Sequence, residues 1–198
     1  MKKHMPISPE KAFLFLAITF GILLVFITPP FQTPDEPAHF YRAFQISELK
    51  IIPQRPKEVP VGKQENRVGG EIPASLKITV EKTMDGVTFH PERKISIPEI
   101  LSASKIQLDS HKREFLEFPN TARYSPVVYI PQTLGILSGK LFNSSPLFLM
   151  YLGRLFNTAV WIFFVYFAIK LTPVSKWLFF LLALTPMSLF ISASLSAD

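Results

Sequence analysis

The sequence has no cysteine, only four histidines and only eight glycines. Without cysteine there is no disulfide framework and no thiolate chemistry, although the compartment stays open. The histidines fall into no zinc-ligand spacing. The glycines form neither a phosphate-cradling loop nor a dinucleotide-binding fingerprint. Neither Ser125 nor Ser144-Ser145 lies in a nucleophile elbow. No internal repeat is visible. A basic nucleic-acid patch is also missing: Lys/Arg and Asp/Glu nearly balance between Phe31 and Ser125.

What is abundant is apolar. Hydrophobic residues make up 48% of the chain, with 19 phenylalanines, and they are gathered into blocks. The net charge of +6 comes mostly from Lys2, Lys3, Lys11, Lys140, Arg154, Lys170 and Lys176, all beside apolar runs. This is the pattern of a polytopic membrane protein with a polar segment between apolar ones.

Taken in order, Ala12 to Thr28 carries no charge and reads as an uncleaved spanning helix; no small-x-small cleavage site follows it. Thr33 to Lys50 reads as a helix lying at the outer surface. Thr33 with Glu36 fits a capping box, and Pro34 suits the first helical position. Phe40, Ala43, Phe44 and Ser47 form one stripe, while Asp35, His39 and Arg42 share another face at i, i+4 and i+7. Between Ile51 and Asn120 the signals are weak. Lys77 to Val80 and Gly86 to Phe89 suggest a small hairpin, and residues 92–117 suggest partial helix. Val127 to Phe142 reads as an interfacial helix with Ile130, Leu134, Leu137 and Leu141 as its apolar stripe, and Gln132, Thr133 and Lys140 off it. Pro146 to Leu171 and Trp177 to Ala193 read as two further spans, the last kinked or ended by Pro186. The expected architecture is therefore α-helical, with three transmembrane helices and interfacial helices around an extracytoplasmic region. Its segments are 1–30, 31–125, 126–145 and 146–198.

Charge then decides orientation. Basic residues place the N-terminus in the cytoplasm and residues 31–145 outside. If 127–142 does not cross, Lys170 and Lys176 return to the cytoplasm, as the positive-inside rule requires. Asp198 then arrives on the same side as Asp35.

Asp35, Glu36, His39 and Arg42 put two carboxylates, an imidazole and a guanidinium just where the chain leaves the first apolar run. Adjacent helical side chains diverge by about 100°, so Asp35 and Glu36 divide between chemistry and capping. Asp35 is the better candidate for a base or cation ligand. Purely structural roles compete: helix-end electrostatics for the acids, and headgroup anchoring for Arg123, Tyr124 and Arg154.

Pro29-Pro30-Phe31-Gln32-Thr33-Pro34-Asp35-Glu36-Pro37-Ala38-His39-Phe40-Tyr41-Arg42 resembles the first-loop signature of the DUF2142 family of predicted bacterial membrane proteins. Three later pieces agree in kind and order. These are Arg123-Tyr124-Ser125-Pro126-Val127-Val128-Tyr129-Ile130-Pro131-Gln132, then Tyr151-Leu152-Gly153-Arg154-Leu155-Phe156-Asn157, then Thr185-Pro186-Met187 with Ser196-Ala197-Asp198. That family is similar to the GT-C glycosyltransferases, which use lipid-phosphate-linked sugars on the outer face of the membrane. The resemblance implies catalytic roles for Asp35 and Asp198, supported by Glu36. It implies donor contacts for Arg123 and Tyr124; the enzyme reading adds His39, Arg42 and Arg154 as substrate contacts, with Arg42, Arg123 or Arg154 neutralising the leaving phosphate. It also allows a divalent cation, Mg or Mn, at Asp35. GT-C enzymes have many more spans than three, so the sequence reads as the N-terminal portion of such a fold, inactive alone. The partners it implies are the lipid bilayer, a polyprenyl-phosphate-linked sugar and an envelope glycan acceptor. Two other readings stay open: a non-catalytic scaffold or transport component of envelope polysaccharide assembly, and a simple anchor for a small outer domain.

Overall fold

The structure is a computed structural model that describes residues 7–56, 67–87, 90 and 92–197. Two long helices form its stem: α1 (Pro9–Ile27) and α7 (Pro146–Leu171). At 1.5 Å per residue their 19 and 26 residues reach about 28 and 39 Å, enough to cross a hydrocarbon core. Only Phe13, Ala17, Gly21 and Val25 of α1 are buried, one residue per turn, and the rest of the helix turns its apolar side chains outward. That narrow stripe packs against α7. A Cβ on Gly21 would sit 2.9 Å from Thr158 Cγ2, so this glycine sets the close approach. Phe13 meets Trp161 near one end of the pair, and Val25 meets Arg154 near the other. The two helices are therefore antiparallel.

The third expected span is not one helix. It is α8 (Lys176–Ala183) followed by α9 (Pro186–Ser192), with an extended Thr185 between them. Pro186 has no N–H to continue the ladder, and it biases Thr185 away from helical backbone. The expected break at Pro186 is present, but neither piece alone is long enough to cross.

The polar region forms a lobe above the stem. It contains α2 (Glu36–Ser47), β1 (Gly69–Pro73), α3 (Ala74–Met84), α4 (Ile97–Ser104), β2 (Arg113–Glu117), α5 (Pro119–Ala122), a 3-10 turn (Pro126–Tyr129) and α6 (Ile130–Lys140). The strands pair antiparallel, with Gly69 opposite Glu117 and Pro73 opposite Arg113. The expected hairpin is misplaced. Lys77 to Val80 belongs to α3, because Leu76, Thr79, Val80 and Thr83 bury at helical spacing, and that outweighs a locally alternating, β-branched string. Gly86 and Val87 are a turn, and Thr88 and Phe89 lie outside the described residues.

Helix α2 is the axis of the lobe and does not lie on its surface. Ten of its twelve residues are buried, including the expected stripe of Phe40, Ala43, Phe44 and Ser47. Ile72, Leu76, Ala103, Leu116 and Phe118 pack in the same core. In α6 the expected stripe faces outward: Ile130 and Leu134 are half exposed, and Leu141 is 81% exposed. Gln132, Thr133, Gly135, Ile136 and Gly139 face inward against α2 and α7. Small and polar residues at helix contacts with apolar ones turned out is the arrangement expected in lipid.

Candidate active site

Pro29 fixes the geometry of the exit from α1. It has no N–H for the carbonyl of Val25, and the carbonyls of Thr28 and Pro29 lie beyond the helix ladder. Arg154 of α7 meets all three. Its Nη1 donates to Val25 O at 3.0 Å and Thr28 O at 2.8 Å, and its Nη2 donates to Pro29 O at 3.1 Å. Its Nε and Nη2 also donate to Glu36 Oε1 and Oε2 at 2.7 and 2.6 Å. Leu195 N–H adds a third bond to the carboxylate at 3.1 Å. Both side chains of this ion pair have zero solvent exposure. A guanidinium has five N–H groups, and all five are engaged. In this structure Arg154 thus has no N–H left over, whereas the sequence reading set it at a leaving phosphate. Glu36, expected as a helix cap, is the hub that ties α1, α2, α7 and the Leu195 segment together.

The expected capping box at Thr33 and Glu36 does not form. Thr33 O accepts from Glu36 N at 3.1 Å, closing a turn with Pro34 second and Asp35 third. Asp35 has φ 55° and ψ 8°, the left-handed backbone that the third residue of a type II turn requires. Helix α2 starts only at Glu36, which puts Pro37, and not Pro34, in its first turn. A helix begun at Thr33 would need an N–H that Pro37 does not have.

This turn leaves the Asp35 side chain exposed and unused as a cap. One long hydrogen bond, from Asn120 Nδ2 at 3.5 Å, reaches its Oδ1. Asp35 borders a cleft of about 590 Å³, shared with Phe31, Gln32, Thr33, Met84 and Val87. Gln32 Nε2 and Thr33 Oγ1 are buried beside it and have no partner among the described residues. Buried polar atoms without partners are uncommon and often mark where something else binds.

His39 points elsewhere. Its Nδ1 lies 2.9 Å from Tyr129 Oη, its Nε2 lies 3.5 Å from Ser196 Oγ, and its ring packs near Tyr124. Gln132 and Asn157 hold the Ser192 to Ser196 carbonyls with their side-chain amides, which brings Ser196 to His39. Asp198 lies outside the described residues. Arg42 turns away from both. It donates to Gln45 Oε1 at 2.6 Å and Ile51 O at 2.9 Å, and burial lowers its pKa. Asp35, His39 and Arg42 therefore do not share a face, because Asp35 precedes the helix. Arg123 is exposed just after α5, the short element that also carries Asn120, and Tyr124 is 39% exposed. Sequence reading gave Thr33 a capping role only, and Gln32 and Ser196 were quoted in motifs without a role. Tyr129 stood inside a quoted motif without being singled out.

The donor set fits a cation poorly. Glu36 is fully engaged, and Asp35 alone supplies a free carboxylate to the cleft among the described residues. A hard divalent ion takes six or more oxygens. No group of three or more metal-binding side chains occurs among the described residues.

Comparison with known proteins gives one family. The model of DUF2142, described as a predicted membrane protein, matches residues 18–198. No curated protein and no solved structure matches the chain.

Proposed function

Because the chain belongs to the DUF2142 family of predicted membrane proteins, we propose that it forms the acceptor-activating part of a membrane glycosyltransferase resembling the GT-C enzymes. The donor is a polyprenyl-phosphate-linked sugar and the acceptor a hydroxyl of an envelope glycan. One observation carries the reading. The first carboxylate after α1 is exposed at a cleft with unpartnered polar atoms, while its neighbour Glu36 is locked in an ion pair.

In this mechanism Asp35 accepts the proton of the acceptor hydroxyl. The oxygen attacks the anomeric carbon, and the bond from that carbon to the phosphate oxygen breaks. The electron pair leaves on the polyprenyl phosphate, and the configuration inverts. Arg42 and Arg154 are engaged elsewhere, so the exposed Arg123 is the cation available to the phosphate, with Tyr124 beside it and His39 behind. Asp198, two residues beyond Ser196, completes the proposed acidic pair. The lobe faces outward, because Lys11 lies at the end of α1 that meets the last turns of α7, where Lys170 and Lys176 also lie.

The test is Asp35→Asn in the intact protein, assayed for transfer from a polyprenyl-phosphate sugar in membranes. Asparagine tolerates the left-handed turn, so the fold stays intact. Transfer falls by about 10²-fold or more, the usual contribution of a general base. Wild-type transfer at equal expression removes Asp35 from the mechanism.

A further inference from the structure

Lys140, at the end of α6, is a half-buried cation with no carboxylate paired to it among the described residues. Its Nζ donates to Ser47 Oγ at 2.6 Å and lies 3.7 Å from the centroid of the Phe44 ring, both on α2. The charged groups around it are Glu48, Lys50 and Arg113. Glu48 is already taken: Arg113 grips both its oxygens, at 3.0 and 2.5 Å, and Lys50 lies 3.1 Å away. Burial pushes the Lys140 ammonium down to about 8.

Lys140 also walls a cavity of about 460 Å³. The other walls are Gln107, Leu108 and Ser110 from the lobe, and Asn143 from the turn between α6 and α7. No carboxylate among the described residues lines it. Asp109 is next in sequence to two of these residues, but its carboxylate accepts from the N–H groups of His111 and Lys112. The lining is thus one cation and three side chains that can donate hydrogen bonds, two amides and a hydroxyl. Asn143 holds left-handed backbone, φ 51°. Beside it Leu141 and Phe142 are about 80% exposed and continue the outward apolar face of α6.

We propose that this cavity binds a phosphate group, with Lys140 supplying the charge and Gln107, Ser110 and Asn143 the hydrogen bonds. A compact ammonium with neutral donors around it suits a tetrahedral anion. The exposed Leu141 and Phe142 make a phospholipid headgroup one source of that anion, and dissolved phosphate is the other. The site is separate from the Asp35 cleft, with which it shares no lining residue.

The test uses the intact protein in maltoside detergent, with lysines reductively ¹³C-methylated and the Lys140 resonance assigned from Lys140→Arg. Its pH titration is followed with two probes, inorganic phosphate and a short-chain phosphatidylglycerol, against chloride at equal ionic strength. The Lys140 midpoint rises by about one unit on binding, because a nearby anion favours the ammonium. A rise with phosphatidylglycerol alone assigns a headgroup, and a rise with inorganic phosphate assigns the dissolved ion; both uphold the site. No rise with either probe, or an equal rise with chloride, overturns it. Asn143→Gly keeps the left-handed backbone and removes the amide. It weakens the binding that drives the rise by about tenfold, the factor for one hydrogen bond to a charged group. Unchanged binding in that variant overturns the assigned cavity.

Discussion

Replacing Arg154 by methionine puts a side chain of similar length and no charge in the hub. The Glu36 carboxylate then keeps the Leu195 N–H, the Val25 and Thr28 carbonyls lose the Arg154 donor together, and Pro29 O keeps only a long bond from Gln32 N–H at 3.4 Å. Removing one partner of a fully buried ion pair costs about 3–5 kcal/mol, since the other charge is left uncompensated. For a chain of this size each kcal/mol moves Tm by roughly 2–4 °C, so the drop is roughly 6–20 °C. Unfolding in detergent can be followed by fluorescence, because Trp161 packs on Phe13 between α1 and α7. Adding Glu36→Gln to Arg154→Met removes the stranded charge, and the neutral amide oxygen still accepts from Leu195. The double variant recovers about 1–3 kcal/mol relative to Arg154→Met alone, the usual coupling of contacting groups. The reasoning fails if Arg154→Met stays within about 1 kcal/mol of the wild type, or if the double variant is no more stable than Arg154→Met.

Two further outcomes follow from packing and charge. Gly135→Ala places a Cβ 2.5 Å from Leu152 O, a backbone atom that cannot step aside, and costs about 1–3 kcal/mol by thermal unfolding; Gly153→Ala meets the flexible tip of Leu195 and costs less. Glu48 is partly buried, which raises its pKa, but hydrogen bonds from Arg113 and Lys50 outweigh this and hold it below the ordinary carboxylate range. Its contribution is therefore fully present above about pH 4.3 and is lost as pH falls through the lowered value. In acid unfolding series, Glu48→Gln has a shallower loss of stability below that point, and an unchanged slope would refute the assignment.

The long elements were legible because their signals are local. The charge-free run after Lys11 and the Pro146 to Leu171 run became α1 and α7 nearly residue for residue, and Pro186 broke the last apolar stretch as a missing N–H must. The site was less legible because its partners are distant. Glu36 and Arg154 are 118 residues apart, and nothing local marks them as a pair. The capping pattern misled for a different reason. Thr33 to Glu36 and Ser96 to Glu99 both have a hydroxyl three residues before a glutamate, but only the second forms a capping box. The difference is Pro37, which follows Glu36 directly and prevents a helix from starting at Thr33. In α6 the periodicity gave the apolar stripe, which faces outward, but not the contacts, which the small and polar side makes.

The bonds from Arg154 to the end of α1 also have a consequence in time. Thr28 O waits for a donor that lies 126 residues further along the chain. At about 5–20 residues per second, roughly 6–25 s of synthesis separate the emergence of that carbonyl from the emergence of its partner. During that interval the bonds from Arg154 that tie the end of α1 to the start of α2 are not yet made. The turn at Asp35 is local, but the tie between α1 and α2 forms only when α7 enters and brings Arg154 to Glu36. A nascent chain stalled before Arg154 therefore holds every residue that lines the cleft and lacks the clamp that joins its helix to α1.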